Sequence, residues 1–182
     1  MKRHIVTPAV LPPAALAELK QWLGITTPHD DAPLAALLRT ALDLCEGFTG
    51  LLPLQAPCEE VLPARSGWQR LSARPVQAIT GVEALAPDSS RTPLNPADYA
   101  LDLDADGGGC IRLTNPGNTA RIAVQFIAGM AASWADLPEA LRHGLIRLAA
   151  HQHRERESSG AQAAPPASVA ALWRPWRRLR LA

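Results

Sequence analysis

The residues whose types could support chemistry fall into a few groups, and their spacing decides what they can do. His143, His151 and His153 could ligate a metal. On a helix, however, His143 and His151 stand eight positions apart and His153 points elsewhere, so there is no i, i+4 pair and no carboxylate to complete a shell. They read as solvated helix histidines. Asp102, Asp104 and Asp106 resemble the start of a calcium loop, but no glutamate closes it and Gly107-Gly108-Gly109 interrupts the ligands. That stretch reads as a strand end running into a hairpin turn. The same triplet lacks the following Lys-Ser/Thr and helix of a phosphate cradle. Neither a G-x-S-x-G elbow nor a Cys with a family signature is present, and Cys45 falls on an apolar stripe as a small hydrophobe. The expectation is no catalytic residue, no metal, no cofactor and no enzyme.

One segment is rich in residues that bind rather than react: Trp173-Arg174-Pro175-Trp176-Arg177-Arg178-Leu179-Arg180-Leu181. Trp and Arg dominate binding hot spots because they combine large apolar area with fixed polar geometry, and Pro175 limits further helix. Trp173, Arg174, Trp176, Arg177, Arg178 and Arg180 are therefore the candidate partner-binding residues. Composition alone leaves other readings open: an exposed basic terminus, contact with DNA, or binding to a membrane surface, which the short length disfavours.

The whole chain sets the bounds. At 182 residues it can form one domain with a real core, or a small domain carrying an insertion. The formal net charge of +1 argues against coating nucleic acid through bulk electrostatics. The charges are nonetheless segregated. From Gly81 to Cys110, Glu83, Asp88, Asp98, Asp102, Asp104 and Asp106 face Arg91 alone, whereas from Leu137 onward eight arginines face only Glu139, Glu155 and Glu157. The three cysteines, Cys45, Cys58 and Cys110, lie far apart without a C-x-x-C pair, so neither a disulfide framework nor a zinc knuckle is expected. Lys2 and Arg3 precede no apolar h-region, and no apolar run approaches the ~20 residues that span a bilayer. Export by a signal peptide and membrane insertion are not expected.

The elements that must position these residues follow from periodicity. Leu16, Leu19, Trp22 and Leu23 repeat at helical spacing before Gly24, which predicts a helix over Pro13 to Leu23. Asp30 or Asp31 can cap a second helix over Asp31 to Phe48, with Pro33 in its first turn and a stripe of Leu34, Leu37, Leu38, Ala41, Leu42, Cys45 and Phe48. From Leu51 to Gly129 short β-like runs alternate with Pro, Gly, Asn and Asp. They predict strands at Cys58 to Leu62, Trp68 to Ser72, Val76 to Leu85, Tyr99 to Leu103, Cys110 to Leu113 and Ala120 to Ile127. In the last, Ile122, Val124 and Phe126 alternate with Arg121, Ala123 and Gln125, as in a sheet wet on one face. Helix returns from Leu137 to about Glu157, carried by Leu141, Leu145, Leu148 and Ala149, and again from Ser168 to Trp173 after an Ala/Pro-rich linker. The layout predicts an α+β fold: a helical bundle of an N-terminal helix pair plus C-terminal helices, with an inserted small antiparallel β-sheet region. The expected division is a domain over residues 1–160 with its β-rich insertion at about 51–129, then a linker, short helix and Trp/Arg-rich tail over 161–182.

Taken in order, these blocks resemble the head-tail connector (adaptor) family of long-tailed phages, whose members also occur in gene transfer agents. The resembling blocks are Leu16-Ala-Glu-Leu-Lys-Gln-Trp-Leu-Gly24, Asp30-Asp31-x-x-Leu34 with its helix closing on Glu46-Gly-Phe-Thr49-Gly50, and Trp68. Next come Arg74-Pro75-Val76-Gln77-Ala78-Ile79 continuing through Val82, Asn95-Pro96-Ala97-Asp98-Tyr99, and Val124-Gln-Phe126-x-Ala128-Gly129. The last is Leu137-Pro138-Glu139-Ala140-Leu141 leading to Ala150-His151-x-x-Arg154-Glu155-Arg156-Glu157. Together they cover about Ala14 to Trp176. The chain departs from the family at His153, where an aromatic is common, at Trp176, where Pro-Tyr is common, and in its arginine-rich tail.

The resemblance implies a structural protein of the neck, at the head-tail junction of a virion or phage-like particle assembled in the bacterial cytoplasm. It implies a homo-oligomeric ring of twelve subunits that joins the portal protein to a tail-side connector or stopper protein, with DNA passing through its channel. The Trp/Arg tail would then grip the portal, and the acidic stretch would face a neighbouring subunit or the tail side. The competing reading is a DNA-binding or DNA-packaging accessory protein that sets the same arginines on phosphates.

Overall fold

The computed structural model describes residues 3–117, 119–155 and 164–177. Its chain divides into two compact units, one of residues up to Ala9 with Gln55–Met130, the other of Val10–Leu54 with the chain from Ala131 onward.

The helical unit follows the sequence closely. Helix α1, Pro13–Leu23, buries Ala15 and Leu19 and stops at Gly24, whose φ of 74° is the left-handed conformation glycine adopts without penalty. Helix α2, Asp31–Thr49, buries Leu34, Leu38, Ala41, Cys45 and Thr49 along one stripe and ends the same way at Gly50. Asp30 occupies the N-cap position but its side chain makes no capping bond, while Asp31 accepts from Lys20 at 2.5 Å and so ties the start of α2 to α1. Helix α3, Glu139–Arg154, buries Leu141, Leu145, Leu148 and Ala149. It ends at Arg154, four residues past the last buried residue, Ala150, with Glu155 as C-cap; the expected extension to Glu157 lies outside the described residues. Helix α4, Ala167–Trp173, follows Pro166 and runs into a 3-10 turn over Arg174–Trp176.

The β unit holds two antiparallel sheets. Strands β1 (Arg3–Ile5), β2 (Ala56–Pro63), β3 (Gln69–Arg70), β4 (Val76–Leu85), β5 (Arg91–Pro93), β6 (Tyr99–Leu103), β7 (Gly109–Leu113) and β8 (Arg121–Ala128) sort into a five-stranded sheet, β1-β2-β8-β4-β5, and a three-stranded sheet, β3-β7-β6. Six of these answer the sequence expectations; β1 and β5 were not foreseen, because three-residue strands carry no readable period. They nevertheless form both margins of the larger sheet. β8 is its centre, paired along its whole length with β2 and, through two register shifts, with β4.

Two expectations need correction. The open face of β8 is interrupted at its middle: Arg121 is exposed and Gln125 half-buried, as the alternation predicts, but Ala123 between them is fully buried, a methyl group set between the longer Val61 and Glu83 of the flanking strands. The fold is α+β, but the strands are about as prominent as the helices, so a helical bundle with a small β insertion understates the sheet. The N-terminal strand explains the difference, because β1 brings the chain's first residues into the sheet beside β2.

A candidate partner-binding surface

The C-terminal segment splits in two. Trp173, expected as a binding residue, is fully buried in the helical unit, which corrects its placement. Its indole N–H donates to the Leu141 carbonyl at 3.4 Å and its ring meets Phe48 at 6.0 Å between centroids. The seat exists because α3 carries glycine at position 144; a Cβ there would stand 2.2 Å from the indole nitrogen. Burial of an indole with its N–H bonded is a core contact, so Trp173 fastens the segment to its own unit. Beyond it Arg174 is exposed, Trp176 is half-buried, and Arg177 is exposed with its guanidinium 5.2 Å over the Phe48 ring. Phe48 thus receives Trp173 and Arg177 together. Arg178 and Arg180 lie outside the described residues. What the segment presents is two guanidinium groups and an indole on a short, proline-stiffened turn, suited to carboxylates, carbonyl groups or phosphates.

A second feature of the same unit escaped the sequence reading. Glu18, Gln21 and Trp22 of α1 and Glu139, Arg142, His143 and Ile146 of α3 line an open cleft of about 420 Å³. Trp22 is 46% exposed instead of core-facing, with the His143 ring edge-on at 5.2 Å. It stands three residues after Leu19, at the border of the buried stripe, where helical geometry turns a side chain partly outward. Arg142 lies 3.1 Å from Glu139 and 3.7 Å from Glu18, so the charges beside Trp22 are mutually engaged.

The residues with chemical potential take structural positions. Burial pushes the Cys45 thiol up to about 12, far from the thiolate a nucleophile needs. Asp104 sits at the mouth of the β6–β7 hairpin, where the Gly108 N–H donates to its Oδ1 at 2.6 Å and holds its carboxyl below the ordinary range. A Cβ at residue 108 would come within 2.5 Å of that carboxylate, so a larger residue there would displace the Asp104 side chain from its bond. His151 lies 3.0 Å from Glu155 one helical turn on, and His143 belongs to the Trp22 cleft. Among the described residues no three His, Cys, Asp or Glu side chains are grouped to hold a metal ion.

On the open face of the larger sheet, Arg91 reaches from β5 across to β2, holding Glu59 through two bonds of 2.6 and 3.0 Å and Glu83 at 3.3 Å. Gln125 of β8 donates to the same Glu83 at 3.2 Å. The Arg91 bonds hold the Glu59 carboxyl below its ordinary range. The lone base of the acidic stretch is therefore spent on a cross-sheet clasp, which sequence could not show because its two ends lie 32 residues apart.

No protein-family model matches the chain and no curated protein matches it. Solved structures do. The chain is similar to one from the neck of an empty GTA particle computed with C6 symmetry, at 28% identity and a TM-score of 0.79, covering 100% of this chain and 98% of that one. It is also similar to a chain from the virion of a native gene transfer agent (GTA) particle, at 27% identity and a TM-score of 0.75. A chain from the neck of a native GTA particle computed with C12 symmetry gives 27% and 0.74, and both cover the same 100% and 98%. The likeness to chains of gene transfer agent particles thus runs from one end of this chain to the other.

Proposed function

We propose that this chain is a structural neck protein of a phage or gene transfer agent-like particle, a head-tail connector that acts through geometry and adhesion without catalysis. The observation that carries this reading is the end-to-end likeness to neck chains, at 28% identity and a TM-score of 0.79. In the finer form of the proposal, copies of the chain close into a twelve-membered ring that joins the portal to the tail-side connector and continues the DNA channel. Relatives in necks computed with C6 and C12 symmetry support that form. Ring closure multiplies weak contacts through effective concentration, so a firm junction does not need a tight pairwise interface.

The part of the C-terminal segment that follows Trp173, with Arg174, Trp176, Arg177, Arg178 and Arg180, is the proposed grip on the portal. Because Trp173 is core, the truncation that tests this begins at Arg174. Loss of residues 174–182 should leave thermal unfolding near that of the full chain while abolishing co-sedimentation with portal rings; undiminished co-sedimentation sinks the assignment. Particles assembled without the chain should carry filled heads and no tails. Tailed particles that lack it would remove the connector reading. The DNA-binding alternative predicts duplex binding by the isolated chain that weakens steeply with salt.

A further inference from the structure

The three-stranded sheet has two unlike margins. β6 is one of them, five residues paired with β7 in unbroken register. The Thr114 N–H donates to the Asp98 carbonyl and the Asp104 N–H to the Gly108 carbonyl. Alternation along an antiparallel ladder then directs the N–H and C=O of Ala100 and Asp102 toward β7, and those of Leu101 and Leu103 outward. Natural sheets guard such edges with proline, lysine, a bulge or extreme shortness. The larger sheet does so: β1 has three residues and β5 ends in Pro93. β6 has none of these, and its outward positions are leucines 42% and 48% exposed. Asp102 lies within it, and Asp104 and Asp106 follow.

The opposite margin, β3, is preceded by Trp68, which is 50% exposed and covered by the Arg112 guanidinium at 4.9 Å. Arg65, Arg70 and Arg112 make this side basic, and all three are exposed. Within one copy Arg70 already reaches Asp104 at 3.4 Å, so the charges left to face a second copy are Arg65 and Arg112 on the basic side and Asp102 on the acidic one. An apolar-acidic edge and an aromatic-basic edge on opposite sides of one sheet are what a head-to-tail contact needs, because such a contact joins two different surfaces and can close into a ring.

We propose that the β6 edge, through Leu101, Leu103 and Asp102, receives the Trp68–Arg70 margin of a second copy of this chain. This rests on the connector reading, and it names the surface that the ring would use. The contact combines backbone pairing along β6 with an indole laid against two leucines.

The experiment places a photo-reactive benzoylphenylalanine at position 103 of the full chain, assembles particles, and confirms by immunoblot that the chain is in them. On irradiation the chain should join to itself, in bands at multiples of 19.4 kDa, with the cross-link mapped to the peptide holding Trp68 and Arg70. Leu101→Pro removes an outward N–H together with one of the two leucines while leaving the bonds to β7 in place, and should reduce the self-linked fraction at least tenfold. Leu103→Asp, assayed with the photo-probe at position 101, should do the same without touching the backbone. Linkage to a different polypeptide, to a different region of a second copy, or to nothing overturns the proposal and leaves the connector reading standing. Particles that do not contain the chain overturn both.

Discussion

Two regions of this protein depart in opposite directions from the exposure their composition suggested. The C-terminal segment is built from tryptophan and arginine, yet its first tryptophan is sealed in the helical unit against Gly144 and Phe48. The β6–β7 hairpin reads as a plain acidic turn, yet its strand leaves two leucines exposed on an unguarded edge. Residue type states how much a side chain could contribute to binding. Whether it is still on offer depends on what the fold has placed beside it, and a glycine facing an indole is enough to withdraw it.

The sharpest way to break this comparison is Trp173→Ala. Removing a fully buried indole should cost about 3–5 kcal/mol of stability, read as a lower urea midpoint. A change below about 1 kcal/mol would return Trp173 to the surface. Gly144→Ala attacks the same seat from α3. A methyl group 2.2 Å from the indole nitrogen forces overpacking, expected at about 1–3 kcal/mol, and Trp fluorescence should report displacement of the ring.

Arg91→Ala tests the clasp on the larger sheet through pH. Glu59 is held below its ordinary range in the folded state, so the clasp contributes its full stability above about pH 4.5, the ordinary value, and loses it as pH falls through the lowered one. Wild type and variant should therefore differ in melting temperature at pH 7 and converge as the pH falls through the lowered Glu59 value. A constant difference would show that Arg91 acts by packing. The smallest effect belongs to Leu103→Asp. An exposed edge side chain should change the stability of the isolated chain by no more than about 0.5 kcal/mol, so that this substitution perturbs association and Trp173→Ala perturbs folding.

Much of the fold was legible where local chemistry decides it. α1 and α2 end where Gly24 and Gly50 follow an apolar stripe, and β4 and β6 occupy the ranges their runs announced. The hairpin at Asp104–Gly109 followed from residues that suit a turn. The candidate site was legible only as composition. Trp173, Trp176 and Arg177 are neighbours in sequence, but burial separates the first from the others, and the Phe48 that receives Trp173 and Arg177 comes from α2. Helical spacing places Trp22 with Leu16, Leu19 and Leu23 without fixing the width of the buried stripe, and Trp22 falls 46% exposed at its border.

By itself, then, the sequence determined the helices, most strands, their turns and the segregation of acid from base. Those depend on contacts within a few residues, where periodicity, proline and glycine act directly. The tertiary structure alone decided that β1 and β5 form the margins of a five-stranded sheet, that Arg91 spans it, that Gly144 admits Trp173, and that β6 keeps an open edge. Each of these joins residues far apart in the chain, and a pairing of that kind has no local period to announce it.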